Sequence, residues 1–327
     1  MQSRPRTGPR DSLLWRVSTS LPLVGSLLWS SNEKHSLSPY PEDSPAPPRY
    51  FRSPTTGLLL YHSTWAPSTP PKAVLYLLHG YAEHIERYSV VAQYWSERGF
   101  LVHGLDHVGH GQSEGDPGYF TRFEHLAQDA LYFTTHVCPA PPNLPRYLFG
   151  HSMGGLVALY TAHSASPSFF SGLILSGPFL HGDPSVDTPV NRAAARLLSS
   201  TFPKLEVAPL ATSHRCSNTD VILQYSRDPL VYHGNIRARV GGEFILATSK
   251  ALAFTHQLTL PVLILHGEDD QVCLPSGSKA LLATLPGVDK TLQLFPKLQH
   301  EILNELQGMD IAAIIAEWVL KRVKGGE

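Results

Sequence analysis

Cysteine is scarce in this chain. There are three in 327 residues, Cys138, Cys216 and Cys273, far apart and odd in number. That excludes a disulfide framework and favours a reducing compartment. Net charge is scarce too: 26 Lys and Arg stand against 27 Asp and Glu, and charged residues make up only 16%. No basic excess exists to bind a nucleic acid. Internal repeats are absent. So is a long unbroken apolar run: residues 12–29 are apolar in patches, but Arg16, Pro22 and Gly25 interrupt them. The stretch is too short and too broken for a transmembrane helix, and it lacks the clean core and cleavage site of a secretory signal. His103, His107 and His110 match no common zinc spacing, and no Cys or acid cluster completes a tetrahedral set. No metal is expected. Gly109 and Gly111 suggest a tight loop in which His107 and His110 are hydrogen-bonding struts.

What is present suits one catalytic-sized domain. Hydrophobic residues make up 42% of the chain, enough for an ample core. Residues 1–50 differ from the rest. Arg4, Arg6, Arg10 and Arg16 face one acid, Asp11, before residue 30. This extension reads as flexible, or as an interfacial anchor that sets Leu and Trp against Arg. Its basic, acid-poor character also resembles a transit peptide, which would direct the chain to mitochondria; otherwise a cytoplasmic, peripherally membrane-associated protein is expected. Residues 38–54, rich in Pro and Ser, read as a linker to a domain spanning 51–327.

That domain alternates. Strands are expected near 57–63, 73–79, 101–105, 146–151, 172–176, 262–266 and 290–295. Helices are expected near 86–98, 121–136, 153–164, 275–285 and 309–323. Such alternation predicts an α/β architecture, a mostly parallel, doubly wound sheet covered on both faces. It stops over about 177–240, where apolar positions lie on short pieces separated by Pro and Gly. An insertion above the carboxyl edge of a sheet reads as a helical lid with an apolar underside.

The chemistry is carried by Tyr147-Leu148-Phe149-Gly150-His151-Ser152-Met153-Gly154-Gly155. An apolar run, Gly-x-Ser-x-Gly and a helix-compatible run make a strand, a tight turn and a helix, with Ser152 at the apex. A serine hydroxyl is a poor nucleophile and needs a base, which needs an orienting acid. His300 follows the strand ending at Phe295 and is the last histidine of the chain. Glu268, Asp269 and Asp270 follow the strand ending at His266. Only one of these acids can face the histidine; Asp270 is preferred and Asp269 is the alternative. Residues just past the carboxyl ends of parallel strands converge on one crevice. An oxyanion needs two backbone donors. Met153, after the nucleophile, supplies one; Tyr81, after the strand 73–78 and the bend at Gly80, supplies the other. His79 and His151 flank these donors as supporting groups.

His79-Gly80-Tyr81-Ala82-Glu83-His84-Ile85-Glu86-Arg87-Tyr88 resembles the oxyanion loop of the monoacylglycerol lipases. The segment from Asp106 through Gly115, the elbow Gly150–Gly155 and Asp270-Gln271-Val272-Cys273 are similar to further loops of that family. The resemblance runs from about Tyr50 to Lys321 and implies the α/β-hydrolase fold. It also implies a serine esterase without a cofactor that cleaves monoacylglycerol, and it favours Asp270 as the acid. Glu83, Arg87 and Tyr225 match the residues that hold the glycerol end in the family, with His151 beside them at the substrate. Lysophospholipase, general carboxylesterase and acyltransferase activity are the alternatives on the same triad. The implied partner is a lipid ester, reached by peripheral membrane contact through the lid and the N-terminal segment. Two departures stand out: Tyr81 replaces a small residue, and the segment after His300 differs. Cys273 is either accessible or a buried small hydrophobe.

Overall fold

Six of the apolar runs become parallel strands of one sheet. The computed structural model describes residues 46–180, 188–210, 215–287 and 289–324, so the expected extension and anchor before residue 46 lie outside the described residues. In chain order the first half contains β1 (Tyr50–Arg52), β2 (Leu59–Trp65), β3 (Ala73–Leu78), α1 (Ser89–Glu97), β4 (Phe100–Leu105), α2 (Phe123–Tyr132), β5 (Arg146–His151), α3 (Met153–Ser164) and β6 (Gly172–Ser176). An insertion follows, with α4 (Pro189–Thr201), β7 (Glu206–Ala208), α5 (Thr219–Arg227), β8 (Ile236–Arg237) and α6 (Ala238–Phe254). The chain then returns to the sheet through β9 (Val262–Gly267), α7 (Pro275–Thr284), β10 (Lys290–Phe295) and α8 (Gly308–Lys324).

The sheet order is β1-β2-β4-β3-β5-β6-β9-β10. β1 and β2 run antiparallel at one edge, and the other six strands are parallel. Every residue of β3 is buried, because helices cover both faces. Period-two alternation divides that strand between two cores. Val74, Tyr76 and Leu78 face the side packed by α2 and α3. Ala73, Leu75 and Leu77 face the side of α1 and α8, where Trp95 Nε1 donates to Ala312 O at 2.9 Å.

The structure departs from the sequence reading in several places, among them a two-stranded ladder of β7 and β8 within the insertion. The short edge strand β1 is additional. The helix expected over 121–136 changes at Phe133 into a wider π turn ending at Val137. And α6 is a continuous 17-residue helix, despite Gly241 and Gly242 in its first half. Packing accounts for the second of them: a Cβ on Gly242 would lie 2.9 Å from Ser199 Cβ on α4. α6 also roots the insertion, since Glu243 Oε2 accepts the Phe123 N–H at the start of α2 at 2.9 Å. Among the described residues no helix is long and apolar enough to cross a membrane.

Candidate active site

Ser152 sits where β5 ends and α3 begins, with φ 52° and ψ −118°. A non-glycine residue in this region is strained, and the surroundings must hold it there. Its N–H donates to Ser176 O at 3.0 Å, and its carbonyl accepts from Phe179 N at 3.0 Å. The close strand–helix approach explains Gly150 and Gly154. A Cβ at Gly150 would collide with the Gly154 carbonyl, and one at Gly154 with the Leu78 and His79 carbonyls.

His300 follows β10, and its Nδ1 lies 2.7 Å from Asp270 Oδ2. Asp270 is buried, whereas Glu268 and Asp269 are exposed. Its other oxygen accepts the N–H groups of Val272 and Cys273, each at 2.8 Å. Burial opposes ionisation of Asp270, yet the imidazoles of His300 and His266 hold its carboxyl well below the usual range. His266 was not anticipated from the sequence. Its Nε2 stands 3.1 Å from Asp270 Oδ2 and 2.8 Å from Cys273 O, and its Nδ1 is 2.7 Å from Ser278 Oγ. Gly177 packs against this pair in the left-handed region, with φ +48°; a Cβ there would lie 3.3 Å from His300 Nδ1.

Ser152 and His300 open on one cavity of about 720 Å³. Tyr81 and Met153, the expected oxyanion donors, line it too. Among the described residues neither backbone N–H has a loop or turn acceptor, so both are available to a ligand oxygen. A Cβ on Gly80 would come within 3.2 Å of Ser152 Cβ, which shows how closely the two loops meet. Phe179, Leu210, Ile236 and Phe244 supply apolar lining. The Tyr81 ring lies among these groups, 5.5 Å from Phe244, and its hydroxyl donates to Gly118 O at 2.7 Å. Cys273 is buried in the wall, 3.8 Å from Ser152 Oγ, and burial raises its thiol well above the ordinary range.

Glu83, His151 and Arg215 supply polar lining. The Glu83 carboxylate is saturated by its own loop: Oε1 accepts from Gly80 N at 2.6 Å and Tyr88 OH at 2.7 Å, and Oε2 from Arg87 Nε at 3.3 Å. His151 Nδ1 lies 3.0 Å from Ser176 O, and its ring centroid is 4.7 Å from that of His300. Burial, then the neighbouring His300, pushes its pKa down to about 4. Tyr225, buried, and Arg87, half-buried, stand behind this wall. Both Arg87 and Arg215 lie over the Tyr225 ring, at 4.7 and 4.2 Å from its centroid. Arg215 and Glu301 escaped the sequence reading, because nothing local marks their meeting.

One expectation fails. His107 is not a side-chain strut: neither ring nitrogen has a partner, and it is the backbone N–H that bonds, to His79 Nε2 at 3.0 Å. The tight loop turns the ring into the His79–His110 stack, where no acceptor faces it. His110 does act as a strut, through Nδ1 to Val108 O at 2.9 Å. Among the described residues no cluster could hold a metal ion.

Residues 69–307 match the family Hydrolase_4, described as "Serine aminopeptidase, S33". The rat monoglyceride lipase is 33% identical over 269 residues, covering 82% of this chain and 88% of its own. The monoacylglycerol lipase of Mycolicibacterium smegmatis is 32% identical, covering 82% and 95%. The crystal structure of Paleococcus ferrophilus monoacylglycerol lipase superposes with a TM-score of 0.72 at 28% identity, covering 80% of this chain and 99% of that one. The parallel sheet, the serine turn and these likenesses agree, and the chain belongs to the Hydrolase_4 family of α/β-hydrolases, among the monoacylglycerol lipases.

Proposed function

We propose that the chain hydrolyses monoacylglycerol to a fatty acid and glycerol through an acyl-enzyme on Ser152. One observation carries the reading: a strained serine opens on the cavity that holds His300, whose far nitrogen is bonded to the buried Asp270. His300 Nε2 takes the Ser152 proton as Oγ attacks the ester carbonyl. Asp270 fixes the imidazole tautomer and stabilises its cation. The N–H groups of Tyr81 and Met153 hold the oxyanion. The proton then passes from His300 to the leaving alkoxide, and the glycerol departs. Water, deprotonated by His300, attacks the acyl carbon and restores Ser152 with release of the acid.

The apolar and polar parts of the cavity lining support an assignment of the two ends of the substrate. The acyl chain is assigned to Phe179, Leu210, Ile236 and Phe244, and the alcohol to Glu83 and His151, with Arg87 and Tyr225 packed behind them. The insertion is a lid that touches the membrane from which the lipid is drawn. Its exposed Leu197, Phe202, Leu205, Ile222 and Leu223 support that contact. The test is a panel of monoacylglycerols, lysophospholipids and simple esters, run with wild type and Ser152→Ala, alongside fluorophosphonate labelling. Labelling confined to the wild type and preference for monoacylglycerol are expected. Faster turnover of lysophospholipids would reassign the substrate, and activity in a folded Ser152→Ala would remove the nucleophile. Arg87→Ala should slow monoacylglycerol more than a methyl ester of the same fatty acid.

A further inference from the structure

Beside His300 lies a buried carboxylate that the reaction as written does not use. Glu301 is 4% exposed, and every polar atom of its side chain is gripped. Oε1 accepts from Arg215 Nη1 at 2.9 Å, while Oε2 accepts from Arg87 Nη2 at 2.8 Å and Asn304 Nδ2 at 2.7 Å. Its own backbone N–H donates to Arg215 O at 2.6 Å. Arg215 belongs to the insertion and Arg87 to the oxyanion loop. Four residues further on, Glu305 accepts from the N–H and hydroxyl of Ser217, from the same stretch of insertion, and also from the Gln299 N–H at 3.0 Å. Two carboxylates on the histidine loop thus hold one short segment of the lid.

The charges here balance in a buried space. Glu83 and Glu301 are set against Arg87 and Arg215, and both arginines share the face of Tyr225. Burial works against ionisation of Glu301, but the two guanidinium groups hold its carboxyl below the usual range. Removing one partner of a buried ion set leaves an uncompensated charge, so the remaining members rearrange.

We propose that Glu301 is a positioning residue: it clasps Arg87 and Arg215 together and thereby sets the alcohol end of the cavity against His300. The proposal rests on the glycerol reading of that end. It predicts that charge, not bulk, is what Glu301 supplies. Without it, two like charges a few ångströms apart would separate, and Arg87 and Tyr225 would lose their common register.

The test compares wild type, Glu301→Gln, Glu301→Ala and Arg87→Ala on a long-chain monoacylglycerol and on the methyl ester of the same acid. Glu301→Gln should lose about tenfold more kcat/KM on monoacylglycerol than on the methyl ester, chiefly through KM. In Glu301→Ala, added acetate should enter the space between the arginines and restore part of the loss. Equal losses on both substrates, or no rescue, overturn the clasp. Selective loss in Arg87→Ala with unselective loss in Glu301→Gln removes the clasp and keeps the glycerol reading. Unselective loss in both removes both. If the Glu301 variants do not fold, Arg215→Met, which leaves the Arg87–Glu301 pair intact, must give the same KM-led selectivity in smaller measure; an unselective Arg215→Met overturns the proposal.

Discussion

His266 and His300 meet the same carboxylate oxygen: Asp270 Oδ2 lies 2.7 Å from His300 Nδ1 and 3.1 Å from His266 Nε2. With Val272 and Cys273 donating to Oδ1, the acid is fixed on both sides before any substrate arrives. Asp270→Asn presents the wrong tautomer to Ser152 and should lower kcat by roughly 10⁴-fold, the size seen in a comparable triad. Asp269→Asn, on an exposed side chain, should be mild. His266→Gln leaves the triad atoms in place and should cost about tenfold, by loosening the acid. Steady-state kinetics on a soluble ester measures all three. A harsh Asp269→Asn beside a mild Asp270→Asn would reassign the acid.

Tyr81 separates two roles in one residue. Its backbone N–H is the proposed oxyanion donor, while its ring packs 5.5 Å from Phe244 and its hydroxyl donates to Gly118 O at 2.7 Å. Tyr81→Phe keeps ring and amide, and should cost only about 1 kcal/mol of stability for the lost hydrogen bond. Tyr81→Ala keeps the amide but opens the wall. Turnover should survive, and the optimum of a chain-length series should move towards bulkier acyl groups. An unchanged series profile would show that the ring does not limit the acyl end.

The buried histidines make the protein acid-sensitive. Burial first, then repulsion from neighbouring histidines, pushes His107 down to about 3 and puts His79 well below its ordinary value, and burial takes His110 down to about 4. His103 and His151, also buried, fall to about 4. These groups stay neutral in the fold but take protons in the unfolded chain below about pH 6.5, so stability is full above that value. It falls as pH drops towards about 4, by on the order of 3 kcal/mol for each shift of this size. Burial raises Asp106 and Asp129 to about 6, and these two work the other way, gaining as pH falls from about 6 to about 4. Five histidines against two carboxyls leave a net loss. Urea unfolding at about pH 7 and about pH 5 measures it. His107→Leu, which loses no side-chain hydrogen bond, should flatten the slope. A stability independent of pH across this range would contradict the burial argument.

What the sequence disclosed was what neighbours along the chain decide. A strand, a Gly-x-Ser-x-Gly turn and a helix are contiguous, so the position of Ser152 was legible. Period and breaks placed β3, β5 and β9 within a residue or two. Three adjacent acids could not be separated by pattern alone, because the choice depends on which one the turn after β9 buries. Asp270 was preferred with Asp269 as the alternative, and the resemblance added weight to Asp270. Glu301 and Arg215 are 86 positions apart, and no periodicity reports such a meeting. His266 looked like the end of a buried strand, which it is; its second role arises only when the chain turns back at Asp270. α6 was hidden by Gly241-Gly242, a pair of low helix propensity; Gly242 is where α4 packs closely.

The lid should dock on bilayers through apolar side chains. Leu197 is 63% exposed and Phe202 62%, both at the α4 end of the insertion, with Leu205 at 48% nearby and Leu223 on α5 at 47%. Fully burying such a side chain contributes about 1.5–3 kcal/mol, and partial insertion proportionately less. Leu197→Ser with Phe202→Ser should therefore weaken vesicle binding by about tenfold or more. Because the contact is apolar, the loss should be the same on neutral and anionic vesicles and should change little with salt. Hydrolysis of vesicle-borne monoacylglycerol should slow in parallel, since the lipid must leave the bilayer to reach Ser152. A soluble short-chain ester bypasses that step and should be turned over at close to the wild-type rate. Sedimentation with vesicles and the two rate measurements suffice. Unaltered binding in the double variant would place the membrane contact elsewhere on the chain.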